Sequence, residues 1–283
     1  MPSVRFESEA MQTDDEQTAT ASLEQDRCFA LTIAYDGTRY AGWQIQPNGV
    51  SIQHVLGHSL AKVLGHRVVL HGSGRTDAGV HAKGQIGAFR TSSWNHEPGK
   101  LVRAINQHLP KDISVLDCNE VVLGFDPIRN AVSKTYRYTI RNSRVPDPLK
   151  QAYHWWIPRP LDPDRMQMGA DRLVGTMDFK AFETLGSTRK TSVRTVHKLR
   201  VTATQALAGR ELQIEIQADG FLYNMVRNIT GALVEIGKGR LGLGWLDGVI
   251  ESRMRDPKGQ TAPARGLCLM HVQYPESVYI SNK

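Results

Sequence analysis

Cysteine is scarce in this sequence. The chain of 283 residues has only three cysteines, Cys28, Cys118 and Cys268, which lie far apart and form no C-x-x-C pair. A disulfide framework needs paired cysteines, and a thiolate zinc site needs closely spaced ones. The pattern therefore argues against both, and it predicts a reducing, cytoplasmic compartment.

Long hydrophobic runs are also missing. No stretch of about 18 uncharged apolar residues occurs, as a membrane-spanning helix would need. The first 27 residues lack the apolar core of a secretory leader and carry seven acidic residues against Arg5 and Arg27. They contain almost no large apolar side chains whose burial would offset the entropy cost of ordering. We predict that residues 1–27 are a disordered acidic tail and that the protein has no membrane partner.

Acidic residues are too few to balance the basic ones. The chain has 35 Lys and Arg against 28 Asp and Glu, a net charge of +7, and after residue 27 the numbers are 33 against 21, a net charge of +12. A basic surface favours a polyanionic partner, and no basic amphipathic helix points to a membrane instead. The charge therefore favours RNA or DNA as the partner.

Hydrophobic periodicity divides the rest of the chain into short strands and helices. Alternation predicts strands at residues 28–35, 67–70, 85–89, 113–116, 133–140, 193–202, 211–216 and 267–272. Helical spacing predicts helices at residues 51–64, 100–109, 162–173, 223–236 and 243–253. Grouped strands with intervening helices are typical of an α+β fold. We predict two similar subdomains with mixed or antiparallel sheets flanked by helices, at residues 28–127 and 128–274, followed by a tail at 275–283.

The most informative local segment is a glycine-flanked loop at residues 72–82, G-S-G-R-T-D-A-G-V-H-A. Its glycines permit positive φ and close approach of another backbone or a ligand. Arg75 and Asp77 are two residues apart, so in an extended segment they share a side and the guanidinium would hold the carboxylate ionised. Such a carboxylate in a tight cleft can act as a base or a nucleophile. From the loop alone, a structural turn with an ordinary ion pair is an equal alternative.

This loop resembles the catalytic loop of the tRNA pseudouridine synthase A (TruA) family, with residues 74–82, G-R-T-D-A-G-V-H-A, as the matching run. Three more segments resemble the family in the same order: Y-D-G-T-R-Y-A-G-W-Q at 35–44, K-T-Y-R-Y at 134–138 and F-L-Y-N-M-V-R-N-I at 221–229. With Gly266 and Leu267, the similarity covers residues 28–274. The acidic leader departs from the usual family pattern.

The resemblance implies a pseudouridine synthase fold in which two subdomains form a basic cleft. It also implies isomerisation of uridine to pseudouridine at positions 38, 39 and 40 of the tRNA anticodon stem-loop, by a homodimer that uses no cofactor and no metal. This reaction breaks a C–N glycosidic bond and forms a C–C bond to the same base, with no net redox change. The nucleotide must be flipped out of its stack and shielded from water.

The resemblance also assigns roles to individual residues. Asp77 matches the catalytic aspartate, as nucleophile or base. Tyr136 matches a tyrosine that stacks on the target uracil, although a buried strand aromatic is the alternative reading. Arg227 is placed in the cleft, where it would pair with Asp77 or a phosphate, and Arg75 would pair with Asp77 until the flipped base displaces it. We expect a phosphate track among Lys134, Arg137, Arg189, Lys190, Arg194, Lys238 and Arg240.

Two alternatives belong to other functional classes. A noncatalytic RNA-binding module of the same fold would lack the catalytic aspartate, whereas Asp77 is present. A glycosidase-like hydrolase that releases the base would ordinarily need a second carboxylate as acid. Asp77 is the only acidic residue between residues 72 and 90, so the sequence disfavours a hydrolase.

Overall fold

A computed structural model describes residues 26–184, 186, 191–206 and 208–280. Nearly all of the predicted acidic tail lies outside these residues, and so do residues 281–283 of the predicted C-terminal tail. Arg189 and Lys190, two members of the expected phosphate track, also lie outside the described residues.

The elements follow the order expected from the periodicity. In the first half of the chain they are β1 (Arg27–Tyr35), α1 (Ile52–Leu64), β2 (His71–Gly72), β3 (His81–Thr91), α2 (Pro98–Asn106) and β4 (Ile113–Val121). In the second half they are β5 (Ser133–Asn142), β6 (Trp155–Ile157), α3 (Pro163–Asp171), β7 (Gly175–Asp178), β8 (Val193–Ala206), β9 (Gly209–Ala218), α4 (Met225–Gly237), α5 (Leu243–Ser252) and β10 (Leu267–Gln273).

All strands of the described residues belong to one continuous mixed sheet. The strand order is β4-β1-β3-β10-β5-β9-β8-β7, with β2 added to β3 and β6 added to β5. The pairs β10–β3 and β5–β6 are parallel and the other pairs are antiparallel. The predicted α+β class is therefore confirmed. The last strand joins the two halves, because β10 pairs with β3 on one side and with β5 on the other; the subdomain boundary near residue 127 stays a prediction.

Helix ends follow the capping residues seen in the sequence. The Ser51 side chain accepts a hydrogen bond from the backbone of His54 at the start of α1, and Gly65 ends that helix with φ of +79°. Asp162 caps α3 by accepting from the backbone of the next turn. A short polar side chain at the start satisfies free N–H groups, and glycine adopts the left-handed ending at no steric cost.

The strand predicted at residues 67–70 does not form. Backbone pairing with β3 begins only at His71, which lies opposite Ala88. Residues 67–70 still alternate in burial, because Leu70 is buried whereas Val69 is exposed. Alternation records which face a side chain takes in an extended segment, and it does not require ladder hydrogen bonds.

The helices cover the sheet and close the core. Helix α2 packs on β4, α3 packs on β8, and α4 packs on α3. Residues 275–280 of the predicted tail also pack on the sheet, because Val278 is buried and its carbonyl accepts from the backbone of Val122. Among the described residues, no helix is both long and apolar enough to cross a lipid bilayer.

Candidate active site

The glycine-flanked loop connects β2 to β3 and is held by the segment that follows β1. The Trp43 backbone donates to the Thr76 carbonyl at 3.0 Å, and the hydroxyls of Tyr35 and Thr76 lie 2.7 Å apart. Gly42 has φ of +92°, and a Cβ there would lie 2.4 Å from the Thr76 carbonyl oxygen. Only glycine permits both this conformation and this close approach. The segment at residues 35–44 therefore positions the loop that carries Asp77.

Asp77 pairs with Arg227, not with Arg75. The Oδ2 atom of Asp77 lies 3.1 Å from Nη1 of Arg227, and the two side chains are 30% and 18% exposed. Arg75 is exposed on the wall of the same cleft, and within the described part of the chain no ion pair joins it to Asp77. The predicted Arg75–Asp77 pair is wrong because the chain turns at Asp77, where the Val80 backbone donates to the Asp77 carbonyl at 3.1 Å. The two side chains therefore do not follow the alternation of an extended segment.

Three acceptors hold the guanidinium of Arg227. Its Nε atom donates to the Ala262 carbonyl at 2.7 Å, and Nη1 donates to Oδ1 of Asn224 at 2.7 Å as well as to Asp77. Helix α4 has 13 residues, and all of them except Arg227 are buried. The helix thus presents one cation to the cleft from a rigid base, as precise positioning of a charged group requires.

Buried contacts behind Arg227 fix the segment that supplies the Ala262 carbonyl. Asn228 is fully buried, and its Oδ1 atom accepts from the Thr261 hydroxyl at 2.7 Å. A Cβ at Gly231 would lie 1.6 Å from the Gln260 carbonyl oxygen, so glycine is required there. This support could not be predicted from the sequence, since nothing in the local pattern shows that residues 260–262 return to α4.

Tyr136 lies at the centre of the sheet on β5 and lines the same cleft as Asp77. Its side chain is 9% exposed, and its ring meets that of Phe221 edge to face at 5.1 Å between centroids. Burial raises the pKa of Tyr136 well above its usual range, so the phenol stays neutral at physiological pH. Tyr136 is therefore a buried strand aromatic, as the alternative interpretation has it, and its ring also borders the cleft.

Lys134 lies two residues before Tyr136, so the two side chains leave β5 on the same face. Its ammonium donates to the carbonyl of Ser73, and a Cβ at Gly74 would lie 3.2 Å from Nζ. Lys134 lines the cleft and also contacts the start of the loop that carries Asp77, and its role in binding phosphate stays a prediction.

The cleft has a volume of about 2070 Å³ and is strongly basic. The Lys and Arg residues that line its described part are Arg67, Arg75, Arg90, Arg129, Lys134, Arg194 and Arg227. The acidic residues that line it are Asp77, Asp126 and Asp219. Asp126 and Asp219 each accept hydrogen bonds from nearby backbone N–H groups, which leaves Asp77 as the acid paired with a cation of α4.

Three residues of the expected phosphate track do not line the cleft. Arg137 follows Tyr136 on β5, so it points to the other face, where it pairs with Glu215 at 2.9 Å. Lys238 and Arg240 lie beyond the far end of α4 and pair with the buried carboxylate of Glu235 at 2.7 Å and 3.3 Å. These predictions are wrong because proximity in sequence does not determine the face of a strand or the end of a helix.

Comparison with known proteins identifies the family. A family model described as tRNA pseudouridine synthase matches residues 31–127 and 170–275. The chain is 44% identical to a protein named tRNA pseudouridine synthase A from Pelobacter propionicus, over 88% of this chain and 100% of that protein. A protein of the same name from Geotalea daltonii is 44% identical over 88% of this chain and 100% of its own length.

A further relative and one solved structure also match. A third protein of that name, from Myxococcus xanthus, is 44% identical over 86% of this chain and 91% of its own length. A solved structure of a Cbf5-Nop10-Gar1 complex matches with a TM-score of 0.31 at 12% identity, over 73% of this chain and 54% of that chain. The family match covers both the strand-and-loop unit that carries Asp77 and the helix that carries Arg227. This chain belongs to the tRNA pseudouridine synthase A family.

Proposed function

We propose that this protein isomerises uridine to pseudouridine at positions 38, 39 and 40 of the tRNA anticodon stem-loop, with Asp77 as nucleophile or base. The observation that carries the proposal is the Asp77–Arg227 pair at the wall of a basic cleft that Tyr136 also lines. An extruded nucleotide requires an accessible carboxylate for the chemistry, an aromatic ring for the base and cations for the phosphates. The cleft supplies all three. The family assignment supports tRNA as the substrate.

Asp77 has one carboxylate oxygen available for chemistry. Its Oδ2 atom accepts from Arg227, whereas Oδ1 accepts no hydrogen bond from any described residue. A carboxylate with one oxygen bound to Arg227 and the other free can attack C1′ of the ribose, attack C6 of the base, or remove the C2′ proton. Each route needs the same single ionised carboxylate. Arg227 stabilises that charge and keeps the side chain in one orientation.

The aromatic ring and the cleft walls serve the detached base. After glycosidic cleavage, the uracil must rotate so that C5 faces C1′ without leaving the site. Stacking on an aromatic face is worth about 1–3 kcal/mol per base and tolerates rotation in the plane of the ring. We assign this role to Tyr136, because its edge-to-face contact with Phe221 fixes the orientation of the ring. A neutral phenol suits it, because burial disfavours the phenolate.

Recognition of three adjacent positions needs contacts that do not depend on base identity. Double-stranded RNA is read mainly through its shape and its phosphate and 2′-hydroxyl groups. Exposed Arg75 and partly buried Lys134 line the cleft beside Asp77 and are suited to phosphate contacts there. Binding through the backbone allows the same site to accept three neighbouring uridines.

One assay tests the proposed function directly. The purified protein is incubated with an unmodified tRNA transcript without added cofactor, and pseudouridine is mapped by position. We expect pseudouridine at positions among 38, 39 and 40 and none elsewhere. Free uracil in place of pseudouridine would indicate a hydrolase, and tRNA binding without any product would indicate a noncatalytic module.

The oligomeric state of the protein and its cellular compartment are also part of the proposal. By family resemblance we infer a homodimer in the cytoplasm, in which the partner subunit completes each cleft. Sedimentation equilibrium is expected to give twice the 31.5 kDa mass of the chain. A mass of one chain at micromolar concentration would contradict the dimer and would leave the chemistry of Asp77 unaffected.

A further inference from the structure

A buried histidine, His81, ends the loop that carries Asp77. Within the described part of the chain, its side chain does not line the cleft. Both ring nitrogens have polar partners on other segments of the chain. Nδ1 lies 3.1 Å from the Gly37 amide, and Nε2 lies 2.9 Å from the Ala152 carbonyl oxygen and 3.2 Å from that of Arg265. One imidazole therefore joins the loop to three segments that are distant in sequence.

These partners determine which nitrogen of His81 carries the hydrogen. A carbonyl oxygen only accepts hydrogen bonds, so Nε2, which faces two carbonyls, is the donor. Nδ1 is then the acceptor and receives the N–H of Gly37. Oδ1 of Asp36 also lies 3.2 Å from Nδ1, but it already accepts from the backbone and the hydroxyl of Thr38. His81 is thus a neutral ring with one donor, directed at two carbonyls.

One of these carbonyls belongs to the segment that holds Arg227. Arg265 lies three residues after Ala262, whose carbonyl accepts from Nε of Arg227 at 2.7 Å. The residues between them are also anchored, because the Tyr138 hydroxyl donates to the Pro263 carbonyl at 2.7 Å. A hydrogen bond to the Arg265 carbonyl therefore helps to fix the backbone that supplies an acceptor to Arg227.

The other end of this connection is the turn that carries Asp77. His81 lies four residues after Asp77, and within this turn the Val80 backbone donates to the Asp77 carbonyl at 3.1 Å. The Val80 carbonyl packs closely on Gly37, where a Cβ would lie 2.0 Å from its oxygen. The turn therefore has little room to shift, and the imidazole connects it to the segment at 262–265.

We propose that His81 is a positioning residue that sets the separation between Asp77 and Arg227. This inference rests on the proposed function and adds a residue that affects the reaction without touching the substrate. Its Nε2–H group joins the loop of the carboxylate to the backbone that holds the arginine. A displacement of about 1 Å in an active site can lower a rate by about 10²-fold. Loss of this hydrogen bond should therefore lower kcat and leave tRNA affinity nearly unchanged.

Two amide substitutions test the role of the Nε2–H group. A Gln side chain can place its NH₂ group near the position of Nε2, whereas the shorter Asn side chain reaches only the position of Nδ1. We expect His81→Asn to lower kcat about 30-fold in single-turnover pseudouridine formation, with Kd for a tRNA transcript within about threefold of wild type. His81→Gln should keep kcat within about fivefold of wild type, because it restores a donor to the carbonyls. Equal losses in both variants would overturn the proposal.

A double-mutant cycle with Arg227→Ala separates positioning from a general loss of stability. If His81 acts through the Asp77–Arg227 pair, His81→Asn should lower kcat by no more than about threefold once Arg227 is replaced. A full loss in both backgrounds would mean that His81 acts independently of the pair, and it would overturn the proposal.

Ser59→Ala is the matched control for the loss of a buried donor. Ser59 is buried, and its hydroxyl lies 3.1 Å from the carbonyl oxygens of both Val55 and His108, away from the cleft. We expect this variant to lower the melting temperature about as much as His81→Asn does, and to leave kcat unchanged. A fall in kcat that followed the melting temperature in both variants would overturn the proposal.

Tyr153→Phe repeats the cycle with a variant that leaves the core intact. Tyr153 is exposed, its ring centroid lies 5.2 Å from that of His81, and its hydroxyl donates to Oδ2 of Asp36 at 2.7 Å. We expect kcat to fall about threefold in the wild-type background and to stay unchanged in Arg227→Ala. The same loss in both backgrounds would overturn the proposal. Failure of the proposed function would appear differently, as wild-type protein that binds tRNA and forms no pseudouridine.

Discussion

Asp77→Asn should abolish pseudouridine formation while tRNA binding stays within about threefold of wild type. The amide has nearly the shape of the carboxylate, and its oxygen can still accept from Arg227. It can neither attack carbon nor take a proton, so we expect kcat to fall by about 10⁴-fold or more. The measurement is single-turnover pseudouridine formation on tRNA transcript, with Kd measured in parallel. Asp77→Ala should lose the same activity.

A matched control separates this effect from a general loss of acidic charge. Asp117→Asn changes an exposed aspartate on the edge strand β4, away from the cleft, and should leave kcat and Kd unchanged. Measurable turnover by Asp77→Ala would remove Asp77 from the centre of the mechanism. Loss of tRNA binding in Asp77→Asn would mean that the carboxylate holds the cleft together instead of acting on the substrate.

Arg227→Ala should reduce kcat by about 10²- to 10³-fold, the second largest effect that we expect. The substitution removes the hydrogen bonds to Asp77, to Asn224 and to the Ala262 carbonyl at once. Asp77 then loses both its counter-charge and its fixed orientation, and loss of one well-placed charge-assisted donor in an active site costs about 2.7–4 kcal/mol. The measurement is kcat under saturating tRNA together with the melting temperature of each variant.

The conservative variant makes this prediction sharper. Arg227→Lys keeps the charge but lacks the planar fork that reaches three acceptors, so we expect activity between wild type and Arg227→Ala. Arg172→Ala breaks a surface ion pair to Asp247, in which the two atoms lie 2.6 Å apart. It should leave kcat unchanged and lower the free energy of unfolding by no more than about 1 kcal/mol. If Arg227→Ala lowered the melting temperature but left kcat intact, Arg227 would be a structural residue only.

Much of the fold follows from local pattern. The alternation at residues 28–35 and 211–216 and the helical spacing at residues 51–64 each correspond to an element of the structure. Capping residues marked helix ends, because a cap satisfies backbone groups within a few residues of itself. The exception at residues 67–70 arose because pairing needs a partner strand in register, and the segment itself carries no record of that partner.

The candidate site, like the fold, could be predicted only in part from local sequence. Asp77 and Tyr136 were found by motif, and the structure places both on one cleft. The partner of Asp77 was misassigned to Arg75 because that residue is near in sequence, whereas Arg227 lies 150 positions away and is brought in by α4. The arginines at positions 67, 90 and 129 were not singled out, since isolated charges carry no periodicity that indicates which surface they share.

The sequence by itself determined the family, the order of the elements, the basic charge and the aspartate on its glycine-flanked loop. Each of these depends on composition or on residues that are close together along the chain. Only the tertiary structure decided which cation meets that aspartate, which basic residues share its cleft, and how far the cleft extends. Those properties depend on the register of one continuous sheet and on the direction of a buried helix. Both are set by contacts between segments far apart in sequence, where local pattern holds no information about distance.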